Sequence, residues 1–440
     1  MFQKKLFKKS KEFINRAQSN KLNFSENSNF FLCSWSECIG FLNLKTLARQ
    51  KISIIKKFLL LFKENFALNS HRLFNETKKI KKEYDSLVFS YFFPENLKKN
   101  GSYFDKYFSV ETKSYKNILW VLIPLNFSRE NFKLQENLIL LRKINDKNIL
   151  YFFLSFFKSL FIILCSFFLK KTIIFKNENQ KFALDLTNII HKLIKFHNIN
   201  KVFYPYESQP HQNFFNKKIK FLNPKLKIIG YMHTAIPPLP LEYLKKGSEP
   251  DLLYVNGIEQ KNILKKKLGW NKRNIKNITS LRYTDQINNS MVKKIFLPYY
   301  LEDINVFFDS FKKLIFSKPK HFFPKLKIQN HPSMGHSKLH QSLISKINFF
   351  LKEEKKYFKN TFSNKNLSIF FGSSAAVLEA LERKVKVYHI CSNVLFEKFD
   401  NFYWKGIKII NIDKNIFEYK LLRKKNIIKI RSHLKKIKFF

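Results

Sequence analysis

The sequence predicts an α/β fold made of two doubly wound parallel sheets, preceded by a basic, largely helical region. Short β-prone runs alternate with helical patterns from about residue 87 to residue 415. The alternation stops in a polar stretch near 275–292 and then starts afresh, which indicates two domains. The 440 residues, 45% of them apolar, are also enough to build two cores of ordinary size.

The domain bounds follow from where this strand–helix alternation starts, stops and starts again. We expect a basic N-terminal region that is largely helical, a first domain, a second domain and a basic C-terminal tail that is also helical. These four segments are 1–84, 85–285, 290–415 and 416–440.

The composition is strongly basic, with a formal net charge of +50 at pH 7. Such a charge suggests a nucleic-acid or anionic-membrane partner. However, Lys, Asn, Ile and Phe are frequent along the whole chain and no nucleic-acid-binding motif is found. We therefore expect no specific nucleic-acid partner, only a general preference for anionic substrates and acidic lipid surfaces.

Cysteine usage and the first residues indicate a reducing compartment. The cysteines are scattered and predict neither a disulfide framework nor a zinc site; they are Cys33, Cys38, Cys165 and Cys391. The basic N-terminus lacks the apolar stretch of a secretory signal.

The elements of the first domain can be placed in order. Strands are predicted at 87–93, 117–125, 136–143, 172–175, 201–204, 227–231 and 251–255, and helices at 182–197 and 259–268. An aromatic loop (YFDKYF) is predicted at 103–108. Strands that alternate with helices are typical of a parallel sheet.

The segment at 149–169 (ILYFFLSFFKSLFIILCSFFL) is about as long as a bilayer span. Lys158 lies near its middle, where a charge costs about 2.5–3.5 kcal/mol on insertion. A span would also place the two flanking α/β regions, which we expect to belong to one enzyme, on opposite sides of a membrane. We therefore expect a buried helix or one that docks on the bilayer surface, with a transmembrane helix as the alternative.

Polar residues follow three strands of the first domain. Ligands of doubly wound sheets bind beyond the carboxyl ends of the strands. This rule selects Glu207, His211, His233, Thr234, Asn256 and Gly257.

Glu207 and His233 are the candidate bases. Glu207 lies in an aromatic, proline-bounded loop (YPYESQP), where partial desolvation would raise its pKa towards the range of a general base. Alternatively, it pairs with one of the many lysines. His233 is either a second candidate base or a hydrogen-bonded core residue.

In the second domain, the segment 368–390 predicts a strand, a tight turn, a helix and a second strand. The turn would present free backbone N–H groups to an anion. Ser373 and Ser374 add hydroxyl donors, Gly372 lets a phosphate approach the backbone, and Glu379 lies where it would reach a ribose hydroxyl. Alternatively, one of the serines simply caps the helix.

The remaining elements of the second domain are predicted as strands at 293–298, 326–329 and 407–412 and helices at 302–316 and 343–357. His331 and Pro332 follow the strand at 326–329. A histidine there can donate to a phosphate oxygen, and proline stiffens the turn. The chain has no P-loop and no GxSxG nucleophile elbow.

A metal site is not expected. His331, His336 and His340 have a spacing that suggests metal ligands on a helix, but Pro332 and Gly335 would break that helix. No cysteine or carboxylate lies in the same run.

Together, these motifs resemble those of bacterial surface-carbohydrate biosynthesis enzymes, which are glycosyltransferases of the GT-B type. They are similar in outline to capsule sialyl- and Kdo-transferases and to CDP-glycerol glycerophosphotransferases. The resemblance covers about 85–415 and is carried by YPYE, GYMHT, PDLLYVNG, Leu281-Arg282, NHP and GSSAAVLEAL, in that order.

The resemblance implies two Rossmann-like domains facing a cleft, with a nucleotide-sugar in the C-terminal one. Its phosphates would be held by His331-Pro332 and Ser373-Ser374, with Glu379 as the acidic residue of the next helix. Glu207 would be the general base. The family's lysine before His-Pro is absent here, so phosphate binding would depend more on Arg282, a residue of the stretch between the domains.

We therefore expect a metal-independent glycosyltransferase with no cofactor besides its nucleotide-sugar substrate. The acceptor would be a glycan or a lipid-linked group at the cytoplasmic surface of the inner membrane. One alternative is phosphoglycerol transfer from a CDP-alcohol. Another is a non-catalytic basic protein that binds nucleic acid or membrane.

Overall fold

Two α/β sheets form the body of the molecule. The computed structural model describes residues 71–75, 83–124, 132–145, 149–168, 178–285, 292–298, 301, 303–317, 326–330, 337–354, 366–422, 427–432 and 440, with a few isolated positions before residue 63. Within these residues, one sheet has eight strands and the other has six. The predicted α/β fold class is therefore confirmed.

The first sheet has the strand order β1-β6-β5-β2-β7-β8-β9-β10. Its strands are β1 (His71–Asn75), β2 (Ser86–Phe92), β5 (Ile118–Pro124), β6 (Leu138–Asn145), β7 (Lys201–Pro205), β8 (Lys227–Tyr231), β9 (Leu252–Val255) and β10 (Ile275–Asn277). All neighbours are parallel except β1 and β6. Strand β5 is buried along its whole length, as expected for a parallel strand that is covered on both faces.

The expectation that 1–84 is largely helical is corrected at its end, where β1 forms the edge strand of the first sheet. The predicted aromatic loop is a short hairpin of β3 (Phe104–Asp105) and β4 (Val110–Glu111). The predicted strand at 172–175 lies outside the described residues.

In the described part of the first unit the α-helices are α1 (Ile149–Phe168), α2 (Glu178–Phe196), α3 (Pro210–Leu222) and α4 (Ile258–Lys266). Helix α3 is not among the helices predicted from the sequence. A capping box between Gln209 and Gln212 starts this helix, and Pro210 stands in its first turn. Among the residues that the structure describes, we find no helix that is long and apolar enough to cross a membrane.

The second sheet has the order β12-β11-β13-β14-β16-β15. Its strands are β11 (Lys294–Phe296), β12 (Lys327–Gln329), β13 (Leu367–Phe371), β14 (Lys386–Ile390), β15 (Ile407–Asp413) and β16 (Ile416–Leu421). Its helices are α5 (Ile304–Ser317), α6 (Lys338–Glu353), α7 (Ala376–Glu382) and α8 (Val394–Glu397).

The predicted helical tail after Asn415 is wrong in its first part. Strand β16 lies between β14 and β15 and is antiparallel to both. Its first four residues are buried, so this segment completes the second core instead of extending into solvent. The sheet therefore runs to residue 421.

The chain then returns to the first unit. Lys429 O accepts a hydrogen bond from Ser280 N at 2.8 Å, and Arg431 N donates to Tyr283 O at 2.8 Å. Ile427 and Ile428 pack into a hydrophobic core that contains residues of both sheets. The two units are thus joined by packing as well as by the stretch near residue 285.

Candidate functional site

A glutamate and a histidine form a pair at the carboxyl edge of the first sheet. Strands β7 and β8 are parallel, and their last residues, Pro205 and Tyr231, lie side by side. The loops that follow therefore emerge together. His233 Nε2 lies 3.1 Å from Glu207 Oε1; the histidine side chain is 2% exposed and the glutamate side chain is 31% exposed.

The turn that carries Glu207 is held by the start of α3. Gln212 Oε1 accepts hydrogen bonds from the backbone N–H of Glu207 at 2.9 Å and of Gln209 at 3.2 Å. Gln212 Nε2 donates to Pro205 O at 2.7 Å. Gln212 is a positioning residue that sequence reasoning missed, although glutamine three residues after Gln209, with proline between, is a recognisable helix start.

Aromatic side chains surround the pair. The β3–β4 hairpin places the Tyr107 ring edge-to-face on His233, with 4.3 Å between the ring centroids. Asp105 Oδ1 fixes this loop by accepting from Tyr107 N at 2.8 Å and Phe108 N at 2.9 Å. The aromatic loop therefore forms one wall of the site.

The charge states of the pair follow from burial and mutual attraction. Burial lowers the pKa of His233, more than Glu207 raises it. Burial alone would raise the pKa of Glu207, but His233, Gln209 and Arg282 together lower it below its ordinary value. The predicted rise is wrong, because the stabilising neighbours of Glu207 come from elsewhere in the chain. At neutral pH an ionised Glu207 therefore accepts a hydrogen bond from a neutral imidazole.

Arg282 belongs to this site. Its positive charge lowers the pKa of both Glu207 and His233, while its own side chain is exposed. The guanidinium also lies 5.6 Å from the ring centroid of Tyr283. A cation at this position can attract an anionic substrate towards the pair.

Glu242 is a second carboxyl group that sequence reasoning missed. Burial raises its pKa to about 7, and the charge of Glu207 acts in the same direction. It lies in a short turn, Leu241–Tyr243, whose Glu242 O accepts from Ser208 Oγ at 2.7 Å. The site thus holds one ionised carboxylate and one carboxyl group that exchanges its proton near neutral pH.

The Gly-Ser-Ser turn lies at the carboxyl edge of the second sheet. Gly372 has φ +61°, and a Cβ there would lie 2.9 Å from Pro298 Cβ, so glycine is required. Ser373 is exposed. Ser374 Oγ accepts from Ala376 N at 3.3 Å, but the N-cap of α7 is Ala375 and no side chain caps it, so neither serine occupies the capping position. The hydroxyl hydrogen of Ser374 can still donate.

A buried histidine, His389, stabilises the Gly-Ser-Ser turn through a hydrogen bond to its backbone. His389 Nε2 donates to Gly372 O at 2.6 Å, and His389 Nδ1 accepts from Tyr419 Oη at 3.0 Å. Burial lowers the pKa of His389 to about 4, so it is neutral. His389 lies inside a strand and not beyond its end, so the sequence gives no signal for this role.

Glu379 is placed differently from the prediction. It forms an ion pair with Arg383 at 2.9 Å, and Arg383 Nη2 also donates to Thr284 O at 2.9 Å. Both side chains are mostly buried. Glu379 therefore orients an arginine that ties α7 to the stretch between the units, and is not open to a ribose.

Asn256 and Gly257 do not line an open cleft. Both are buried, Asn256 O accepts from Lys429 N, and a Cβ at Gly257 would overlap Ile427 O. They form the contact surface for the returning chain. The sequence could not reveal this, because the contact spans about 170 residues.

The other predicted residues divide into two groups. His211 is partly buried with its Nε2 3.1 Å from Tyr91 Oη, and Thr234 is also partly buried. His331 and Pro332 lie outside the described residues, as does His336. However, β12 and β13 are both parallel to β11, so the loop that starts at Asn330 begins at the same sheet edge as Gly372.

No metal site is found in the part of the chain that is described, where no three His, Cys, Asp or Glu side chains cluster suitably. His340 instead donates from Nε2 to Pro298 O at 2.8 Å.

No family model matches the chain, and no curated protein sequence matches it. Similar solved structures include the UDP-GlcNAc 2-epimerase of Neisseria meningitidis bound to UDP-GlcNAc, at 12% identity over 71% of this chain and 84% of that one, with a TM-score of 0.36. Another is the α,α-trehalose 6-phosphate synthase of Burkholderia multivorans, at 8% identity over 65% and 76%, with a TM-score of 0.36. A third is S. aureus MnaA with UDP, at 10% identity over 69% and 78%, with a TM-score of 0.36. Similarity at this level establishes no function, and the α/β assignment rests on the chain's own sheets.

Proposed function

We propose that this chain is a GT-B-type glycosyltransferase of surface-polysaccharide biosynthesis. It would transfer a sugar from a nucleotide-activated donor to a hydroxyl group of a glycan or lipid-linked acceptor. The observation that carries the proposal is the partly exposed Glu207 carboxylate, hydrogen-bonded to a buried neutral His233 at the carboxyl edge of the first sheet.

Glu207 is the base in this proposal. It takes the proton of the acceptor hydroxyl while the acceptor oxygen bonds to the anomeric carbon of the donor. The bond from that carbon to the phosphate oxygen breaks, and the nucleotide leaves with the electron pair. His233 orients the carboxylate and, because it is almost fully buried, does not itself meet the acceptor.

The donor phosphates belong at the edge of the second sheet. The exposed hydroxyl of Ser373 and that of Ser374 would donate to phosphate oxygens, together with the His331-Pro332 loop. Arg282 would balance the charge of the leaving group without a metal. In support, the stretch that carries Arg282 is tied to α7 of the second unit through Arg383 and Thr284.

The proposed location is the cytoplasmic side of the inner membrane. A lipid-linked or growing surface glycan would be available there, and the basic composition suits an acidic lipid surface.

A donor screen tests the function. Thermal stabilisation would be measured with CMP-, CDP-, UDP-, GDP- and dTDP-sugars and with CDP-glycerol. We expect one nucleotide-sugar to raise the melting temperature and to be consumed when acceptor is added. Stabilisation by CDP-glycerol with phosphoglycerol transfer would favour the phosphotransferase alternative. Salt-dependent DNA binding without turnover of any donor would favour the non-catalytic alternative.

A further inference from the structure

Helix α1 exposes apolar side chains and buries small polar ones, which is the reverse of a helix in a water-soluble domain. Among the α1 side chains that the structure describes, Ser155 and Ser159 are fully buried, whereas most of the large apolar ones are exposed. The exposed ones are Ile149, Leu150, Phe152, Phe153, Leu154, Phe156, Phe157, Leu160, Phe161 and Leu164. A helix at the surface of a soluble protein buries its apolar face, so this arrangement predicts a non-aqueous surrounding.

The inward face of α1 is built for close packing. Ser159 Oγ donates to Ser155 O at 2.6 Å, so this hydroxyl is satisfied by its own helix. Small residues on the packed face with bulky apolar residues outside are typical of helices in lipid.

The apolar surface continues beyond α1. The rings of Phe58 and Phe62 meet those of Phe156 and Phe152 edge-to-face, at 5.3 Å and 5.0 Å between centroids. Ile55 and Leu59, from the same segment as Phe58, are exposed. We call the exposed residues of α1 together with Ile55 and Leu59 the apolar patch.

We propose that the apolar patch inserts into the surface of an anionic lipid bilayer, at the boundary between headgroups and acyl chains. The only charged residue of α1 is Lys158, which is exposed and whose long stem lets the ammonium reach a phosphate headgroup while the neighbouring phenylalanines stay in the acyl region. The chain charge of +50 favours a negatively charged surface. The same charge opposes pairing of two copies through this patch.

The position of α1 fits a membrane-bound acceptor. Helix α1 starts four residues after β6 ends, and β6 belongs to the parallel set of β7 and β8. Its first turn is therefore near the carboxyl edge that carries Glu207. Three strand spacings separate β6 from β7, roughly 15 Å. The membrane contact does not depend on the proposed transferase activity, but it would bring that edge close to the lipid.

Vesicle flotation tests the proposal with the full chain. The vesicles would contain either phosphatidylcholine alone or phosphatidylcholine with one quarter phosphatidylglycerol. The patch variant carries F157E and F161E, and the control carries F196E and F349E. The four phenylalanines have matched exposures of 62%, 66%, 67% and 68%, so both variants add the same charge to equally exposed sites.

We expect the wild type and the control to bind the anionic vesicles within about twofold of each other, and the patch variant to bind at least tenfold more weakly. Binding of the patch variant equal to that of the control would overturn the proposal, as would a wild type that fails to float. A wild-type dimer that the patch variant disperses would also overturn it, because a second copy would then cover the patch. Equal binding to the neutral vesicles would overturn the anionic preference.

Two further measurements guard against misfolding and against confusion with the transferase proposal. Hydrogen exchange of the wild type should slow over 149–164 when anionic vesicles are added, and unchanged exchange there would count against insertion. Glu207→Gln should float like the wild type, since vesicle binding is measured without donor or acceptor.

Discussion

Each of the two sheets carries a buried, neutral histidine near its carboxyl edge, but the two histidines donate hydrogen bonds to different acceptors. His233 donates to the partly exposed carboxylate of Glu207. His389 donates to the backbone carbonyl of Gly372 inside the core. Burial lowers the pKa of both. The two imidazoles therefore share a protonation state and differ in partner: one holds a carboxylate that reaches solvent, and the other holds a buried backbone carbonyl.

The largest expected effect is on turnover at the first edge. Glu207→Gln keeps an oxygen that can accept from His233 but removes the charge and the basicity. We expect the transfer rate to fall by about 10²–10⁴, while donor stabilisation of the melting temperature is retained. Steady-state kinetics and a thermal shift assay measure the two quantities.

The exposed Glu353 provides the control. Glu353→Gln removes the same charge far from the edge of the first sheet and should leave transfer unchanged. If Glu207→Gln keeps most of its activity, Glu207 is not the base.

How far the sequence predicts these two edges can be judged from their residues. Apolar runs such as those of β5 and β13 predict buried strands, and the rule about carboxyl ends then selects Glu207 and His233. That rule does not reveal that the two side chains meet. The sign of the pKa shift of Glu207 depends on this contact, so it was predicted incorrectly.

Long-range contacts account for most of the other errors. Asn256 and Gly257 follow a strand like any ligand residues, and only the folded chain shows the returning segment 427–431 lying on them. The β16 segment (IFEYKL) has one lysine, but it opens the basic stretch 416–440 and follows the last predicted strand, so the sequence places it in the tail. Its apolar residues become a buried face only when β14 and β15 lie on either side.

The second prediction concerns stability at the second edge. His389→Gln should lower the free energy of unfolding at pH 7 by about 1–3 kcal/mol, because Gly372 O or Tyr419 Oη loses its partner in the core. The pKa of His389 is about 4 in the folded chain and 6.5 ordinarily, so the unfolded chain takes up a proton first as the pH falls. The wild type therefore loses stability between these values, on the order of 2 kcal/mol at pH 5.

The cost of His389→Gln should consequently shrink between pH 7 and pH 5 in urea unfolding experiments. Tyr419→Phe keeps the histidine and should keep this pH dependence. A cost of His389→Gln that is equal at both pH values would contradict the assigned protonation state.

The third prediction separates the two histidines. His233→Leu removes the hydrogen bond and the attraction that lower the pKa of Glu207, so that pKa should rise. The acidic limb of the pH–rate profile should then move to higher pH, with a smaller loss of stability than His389→Leu because Glu207 keeps contact with water. An unmoved acidic limb would show that Glu207 does not control it.

The smallest expected effect is at Ser374. Its hydrogen bond to Ala376 N is long and partly exposed, so Ser374→Ala should cost at most about 1 kcal/mol of stability. If the hydroxyl also binds phosphate, donor affinity should fall about fivefold. Ser373→Ala should weaken the donor without any change in stability, since Ser373 is exposed. Unchanged donor affinity in both variants would show that the serine hydroxyls do not bind the donor phosphates.

The segment at 427–431 has a consequence for synthesis on the ribosome. The surface formed by Asn256, Gly257 and Tyr283 is translated well before the segment that covers it, which lies up to about 170 residues further along the chain. At about 5–20 residues per second, the earlier surface waits roughly 10–30 s for that cover. During this interval, the nascent chain would expose this uncovered surface to chaperones. Ribosome profiling of chaperone-bound chains should detect the binding.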